Sequence, residues 1–304
     1  MRVQGEVTGE GSSEKALMIY TIQNEKLTLS INSKGAELIS AKSNDGKEYI
    51  WQADKRYWGR HAPILFPVCG RLLGSEYTLD GERYEMGSHG FARDSEFELM
   101  DKNEDSLTLV LSENEQTASV YPFNFTLKVK YCVENTSVKM FIEVKNNSNK
   151  VMPYMIGWHP GFCIEGTIDN YTLSFPDCKS LKRHYMQPSL FVDQKAVDYP
   201  LTDGIFPLDE NEIYREDTII FKNVGTESIL RLNGKPRLRL SQSDNLPFYA
   251  IWKAPYSEAE YICLEPWSDI PSDGVTPECF DTREMSRLEA GKSESYFFSA
   301  EFID

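Results

Sequence analysis

Several familiar signatures are missing from this 304-residue chain, and each absence removes a class of function. There is no C-x-x-C pair. The six cysteines (Cys69, Cys132, Cys163, Cys178, Cys263, Cys279) are scattered, three of them in apolar or aromatic surroundings, which disfavours a zinc site or a disulfide framework and fits reduced thiols in a cytoplasm. No run of 18 apolar residues occurs, and residues 1–17 lack an apolar signal core, so neither a membrane span nor export by that route is expected. Neither G-x-G-x-x-G nor a P-loop occurs, which removes the usual nucleotide sites. Basic residues are in deficit, 32 against 47 acidic, and the net charge of −15 repels phosphate backbones and anionic membranes. Nucleic acid and membrane are therefore not expected partners. No stretch of about a dozen residues carries a clean apolar stripe at helical spacing, which disfavours alternating strand and helix units.

What is present is alternation. Apolar residues recur with period two at Leu27, Leu29 and Ile31, at Leu107, Leu109 and Leu111, and in the long run Phe123, Phe125, Leu127, Val129, Tyr131 and Val133. The pattern returns at Val138, Met140, Ile142 and Val144, at Leu230 and Leu232, at Leu238 and Leu240, and at Tyr296, Phe298, Ala300 and Phe302. Glu134-Asn135-Thr136 and Asn233-Gly234-Lys235-Pro236 punctuate these runs at hairpin distance. So many strands imply an all-β chain folded as a large antiparallel two-sheet β-sandwich, because one open sheet of that size would curl or split. With 40% hydrophobic and 12% aromatic residues and no long linker, residues 18–304 are expected to form one domain. The Gly-, Glu- and Ser-rich residues 1–17 are expected to be a disordered extension without chemistry.

Four stretches instead place polar groups among Gly, Pro and aromatic residues. Gly157-Trp158-His159-Pro160-Gly161-Phe162 holds an imidazole in a stiff turn between apolar rings, which suits either a flat-faced ligand or a packed corner. Tyr261-Ile262-Cys263-Leu264-Glu265-Pro266-Trp267 sets a carboxylate at the end of an apolar strand, where desolvation would raise its pKa and make it a candidate base. Pro67-Val68-Cys69-Gly70-Arg71 presents a guanidinium that either meets ligand oxygens or is an ordinary ion-paired arginine. In Ser88-His89-Gly90-Phe91-Ala92-Arg93 a histidine beside glycine lies near a second arginine, and taken alone His89 reads sooner as structural than as functional. His61 reads as structural, and His184, in Lys182-Arg183-His184-Tyr185, as part of a solvated basic loop.

Together with Lys26-Leu27-Thr28-Leu29-Ser30-Ile31 and Lys34-Gly35-Ala36-Glu37-Leu38, these four motifs resemble, in order and spacing, the aldose 1-epimerase (galactose mutarotase-like) family, and within it the LacX-like branch. The resemblance implies a β-supersandwich, no metal, and a catalytic set of His159, Glu265 and His89. In that set His159 protonates the ring oxygen, Glu265 takes the anomeric proton and His89 stands near the ring oxygen. Arg71 matches an arginine that orients sugar hydroxyls. The family's hydroxyl-recognising aspartate has no clear match, Asp244 being the nearest candidate, and the histidine contexts depart from those of galactose mutarotases, which leaves the substrate open.

The expected activity is interconversion of the α and β anomers of a hexose with no cofactor, by a monomer or homodimer. One base and one acid are sufficient, each contributing about 10²–10⁴-fold. Two rival readings remain. One is a mutarotase for hexose 6-phosphates, which would recruit Arg93 or Arg71 to the phosphate. The other is a sugar-binding protein without catalysis that uses Trp158 and Trp267 as stacking platforms.

Overall fold

The computed structural model describes residues 18–176, 178–187 and 191–303, so the expectation for residues 1–17 lies outside the described residues. The period-two runs form the long strands. Phe125–Glu134 and Ser137–Asn146 bury every second residue and join through Asn135 in the left-handed region (φ 53°). Both are inner strands of a nine-stranded antiparallel sheet that runs, edge to edge, from Ile205–Pro207 through Tyr171–Ser174, Glu227–Leu232, Lys235–Gln242, Ser293–Phe302, Ser137–Asn146, Phe125–Glu134 and Ser106–Ser112 to Glu98–Lys102. Alternation is required here because one face meets the core and the other meets solvent.

The second large sheet has eight strands. Its path is Val197–Pro200, Ser180–His184, Thr218–Lys222, Phe248–Trp252, Tyr261–Trp267, Gly157–Trp158 and Ile64–Leu65, with Gly161–Cys163 also paired to Tyr261–Trp267. Tyr261–Trp267 is buried at every position, as expected of a central strand covered on both faces. The two sheets face each other across an aromatic core. Trp158 meets Phe298 edge-on (6.0 Å), Phe66 lies against Phe125 (5.3 Å), and the hydroxyls of Tyr249 and Ser228 share a hydrogen bond of 2.8 Å. This is the expected two-sheet sandwich, extended by a three-stranded sheet (Ile19–Gln23, Leu27–Asn32, Leu38–Ser43), a small hairpin (Glu76–Leu79 with Glu82–Glu85) and a short long-range pair (Met152–Tyr154 with Ser286–Leu288).

Helices are short, Glu115–Val120 and Glu210–Glu216, each started by a side-chain cap from Asn114 or Asp209. No helix among the described residues is long and apolar enough to cross a membrane. One sequence expectation fails outright. His184 is not in a solvated loop but on the strand Ser180–His184, 4% exposed, with Nδ1 3.0 Å from the Asp193 carbonyl. The charged run misled because Arg183 is itself buried, ion-paired to Glu212 (2.6 Å) and covered by Tyr185 and Tyr199.

Two glycines separate backbone strain from crowding. Gly234 (φ +79°) turns the Glu227–Leu232/Lys235–Gln242 hairpin with open space where a Cβ would point. Gly90 (φ +71°) would place a Cβ 2.1 Å from the Phe66 carbonyl oxygen. G234A should cost about 1–2 kcal/mol, the penalty for an L residue in the left-handed region. G90A should cost about 4 kcal/mol or more, since main chain must also give way. Urea denaturation of both variants measures this, and equal costs would show that the Phe66 segment yields freely.

Candidate active site

The strand Tyr261–Trp267 carries the centre of the site. Its pairings Gly157↔Trp267 and Gly161↔Cys263 keep a single register, which sets His159, the middle of the three residues between those pairs, across from Glu265. The His159 N–H donates to the Pro63 carbonyl (2.9 Å), and the N–H of Leu264 reaches the Pro160 carbonyl, so the gap is pinned from both sides. His159 Nε2 and Glu265 Oε2 are 3.3 Å apart, with the residues 8% and 1% exposed. The loop before the partner strand Ile64–Leu65 is held by buried Glu37, whose carboxylate accepts from the N–H groups of His61 (2.8 Å) and Ala62 (3.0 Å). His61 is not among the cavity-lining residues.

Above this pair is a cavity of about 200 Å³ lined by Trp58, Arg71, Ser88, His89, Arg93, His159, Met186, Asp217, Trp252, Glu265 and Trp267, among others. That is smaller than the roughly 300–1,000 Å³ of pockets for drug-sized ligands and matches a molecule of one ring. Of the residues expected from sequence, His159, Glu265, His89, Arg71, Arg93 and Trp267 are brought together here. Trp158 and Asp244 are not. Trp158 is 1% exposed, donates its indole N–H to the Ala62 carbonyl (3.1 Å) and packs between the sheets on Phe162 and Phe298, so it is core and no stacking platform. Asp244 lies in the turn between Lys235–Gln242 and Phe248–Trp252, away from the cavity lining.

Several lining residues escaped the sequence reading, among them Trp58, Trp252 and Asp217. Trp58 stacks on the His159 ring (centroids 4.8 Å, 24° between planes) and Trp252 meets it edge-on (5.7 Å). Both belong to an aromatic cluster with Trp51, Tyr57 and Tyr261. Asp217, at φ +60° between helix Glu210–Glu216 and strand Thr218–Lys222, supplies a wall carboxylate. The usable signal for the tryptophans was the aromatic density of residues 49–58 and 248–261, but nothing local marks Asp217.

Burial sets the electrostatics. Glu265 is pushed well above the ordinary carboxyl range by desolvation; the Trp267 indole opposes this without making a well-formed hydrogen bond, and Asp217 adds to it. His159 is lowered to about 3, again mainly by desolvation, with a contact to its own main chain opposing and Arg93 and Arg60 adding to it. Both shifts favour a proton on the Glu265 carboxyl over one on the His159 imidazole. In His89, at φ +63°, burial and then the neighbouring His159 depress the pKa strongly. Its Nδ1 accepts from the Gly70 N–H (3.0 Å), which leaves Nε2 as the protonated nitrogen. Arg93, lowered to about 10 by burial and then Arg60, donates to the Ser88 carbonyl (2.6 Å). Burial raises Asp217 while Arg71 opposes. The arrangement can exchange a proton between two oxygens of one ligand while guanidinium and carboxylate groups hold its hydroxyls.

The sequence profile of the aldose 1-epimerase family matches residues 18–276. The chromosomal protein LacX of Lactococcus lactis subsp. lactis is 32% identical over 268 residues, covering 83% of this chain and 88% of LacX. A galactose mutarotase related enzyme from Lactobacillus acidophilus superposes with a TM-score of 0.86 at 30% identity, covering 94% of this chain and 98% of that one. A galactose mutarotase-like protein from Lactobacillus casei gives 0.87 at 28% identity, covering 94% and 100%. Fold and comparisons define an isomerase of the epimerase class that acts on a small-molecule sugar. The chain belongs to the aldose 1-epimerase family.

The pKa of Glu265 has a consequence for stability. A carboxyl raised on folding holds its proton where the unfolded chain has lost it, so its contribution is complete below the ordinary value near 4.5 and declines as pH rises above that. Glu265→Gln carries no such dependence. Its denaturation free energy should gain on the wild type steadily from about pH 5 to 8, and a gap that stays constant or shrinks would show that Glu265 folds as an anion.

Proposed function

We propose that the protein is a cofactor-independent mutarotase of a free hexose, with Glu265 and His159 as base and acid. The observation that carries this reading is the register that faces the two side chains at 3.3 Å on the floor of a one-ring cavity. The reaction needs only proton transfers. Bound sugar brings its hydroxyl dipoles to the carboxyl, and the proton held by the pair passes to the imidazole. Glu265 then takes the proton of the C1 hydroxyl as the C1–O5 bond breaks, and His159 gives its proton to O5. After rotation about C1–C2, O5 attacks either face of the aldehyde, His159 recovers the O5 proton and Glu265 returns its proton to O1.

The remaining wall groups supply orientation. His89 Nε2–H points a neutral donor towards the ring-oxygen side, which stabilises the developing charge without adding a second acid. Arg71 and Asp217 lie close enough to influence each other and together present donors and acceptors to hydroxyls. Trp267, Trp58 and Trp252 form the apolar walls against which a sugar face packs. The same groups favour a neutral sugar over its 6-phosphate. Arg93 is engaged by Ser88 and lies 3.7 Å from Asp94, Arg60 is paired to Asp94 (3.0 Å), and Asp217 adds an anion to the wall.

Glu265→Gln and His159→Gln should each lower kcat by about 10²-fold or more while sugar affinity stays within a few-fold, because the lost interaction acts in the transition state. Polarimetry of fresh α-glucose and α-galactose gives the rates and calorimetry the affinities. Both variants within about threefold of wild-type kcat would place the acid and base elsewhere. Tighter and salt-sensitive binding of a hexose 6-phosphate in the same calorimetry would instead assign the site to phosphorylated sugars.

A further inference from the structure

Beneath the His159–Glu265 pair stands a third donor that sugar chemistry does not use. Cys263 precedes Glu265 by two residues on Tyr261–Trp267, so both side chains leave the same face of the strand. The thiol is buried among Trp51, Tyr57, Trp58 and Trp252. One ligand atom from each of His159, Cys263 and Glu265 lies within 4.8 Å of the other two, and no other such group is found among the described residues. All three residues are buried, and neither carboxyl oxygen of Glu265 has a hydrogen-bond partner among the described residues. Buried oxygens are rarely left so, and a cation would satisfy them.

We propose that His159, Cys263 and Glu265 form an inhibitory site for a borderline-soft divalent cation, Zn²⁺ in particular. The donor set is one imidazole nitrogen, one sulfur and one carboxylate oxygen, which suits zinc and excludes the oxygen-seeking Mg²⁺ and Ca²⁺. Zinc bonds of about 2.0–2.1 Å at a tetrahedral angle place nitrogen and oxygen about 3.3 Å apart. Nε2 and Oε2 are already separated by 3.3 Å. Sulfur must approach by about 1 Å to complete a bond of about 2.3 Å, within reach of a torsional adjustment of two side chains. The fourth position faces the cavity and takes water. On binding, the Cys263 thiol and the Glu265 carboxyl each release a proton to solvent, so two anionic ligands neutralise the dication in a low-dielectric site. The ion then occupies the lone pairs that accept and deliver protons. This inhibition rests on the function proposed above, whereas the binding does not.

The test uses the full-length wild type with Cys263→Ala and Cys263→Ser, each shown to mutarotate sugar in the presence of a chelator. Calorimetry with Zn²⁺ and absorption spectroscopy with Co²⁺ should show one ion per chain and a thiolate-to-cobalt charge-transfer band in the wild type. Both substitutions should weaken binding at least about tenfold, the loss that removal of even an outer hydrogen-bonding partner causes at a zinc site. Zn²⁺ should stop mutarotation by the wild type at concentrations that leave Cys263→Ala active. Equal affinity in the cysteine variants, a cobalt spectrum without a thiolate band, or no stoichiometric uptake would overturn the site. Thiolate-ligated metal in a chain that never mutarotates sugar would instead keep the site and overturn the function.

Discussion

The structure depends on one constraint: the strand Tyr261–Trp267 must pair with Gly157–Trp158 and Gly161–Cys163 in a register that sets a histidine opposite a glutamate. Everything near it serves to hold that pair out of water. The Trp58 ring covers the imidazole, Trp252 closes its edge, and the Glu37 carboxylate anchors the loop that leads into the neighbouring strand. Burying a carboxyl without a hydrogen-bond partner opposes folding, and such a cost persists where the surroundings over-determine it. Here the surroundings are two sheets and an aromatic cluster, rigid on the scale at which a proton is passed.

How much of this was legible follows from periodicity. The ten-residue strands Phe125–Glu134, Ser137–Asn146 and Ser293–Phe302 show their alternation plainly, because each buries one face only, and the double-sheet architecture follows from their number. The site is built on Tyr261–Trp267, which is buried at every position and so shows no alternation, and on strands of two or three residues, Gly157–Trp158, Gly161–Cys163 and Ile64–Leu65, too short to display any period. Even so, the fate of Trp158 could have been read. Adjacent residues of an extended chain point to opposite faces, so a His159 aimed at the cavity sends Trp158 into the core. The same rule puts Cys263, Glu265 and Trp267 on one face. Asp217 was hidden for another reason. It is placed by the end of a helix with a left-handed residue, a tertiary arrangement that leaves no mark on neighbouring composition, while Asp244 occupies the kind of polar turn that attracts notice and does nothing at the cavity.

Charge is arranged on two scales. The chain as a whole is strongly acidic, yet Arg71 and Arg93 line the cavity and, with Arg60, add to the depression that burial and His159 impose on His89. Asp94 pairs with Arg60 and lies near Arg93, and Asp217 lies near Arg71, so the polar part of the wall carries both signs of charge beside the tryptophan faces. On the function proposed above, such a wall would recognise hydroxyls by donor and acceptor position more than by net attraction, as an uncharged, many-hydroxyl ligand requires. Desolvation favours a proton on Glu265 over one on His159, and the buried donors proposed for proton transfer are the same ones proposed to hold a metal ion.

The central claim is that the empty site holds a protonated Glu265 facing a neutral His159, ready to exchange that proton when sugar binds. Infrared difference spectroscopy measures it directly. At neutral pH the sugar-free wild type should show the carbonyl stretch of a buried protonated carboxyl that is absent from Glu265→Gln, and saturating hexose should diminish that band as carboxylate intensity grows. A wild-type spectrum with no such band, or one that sugar leaves unchanged, would contradict the account.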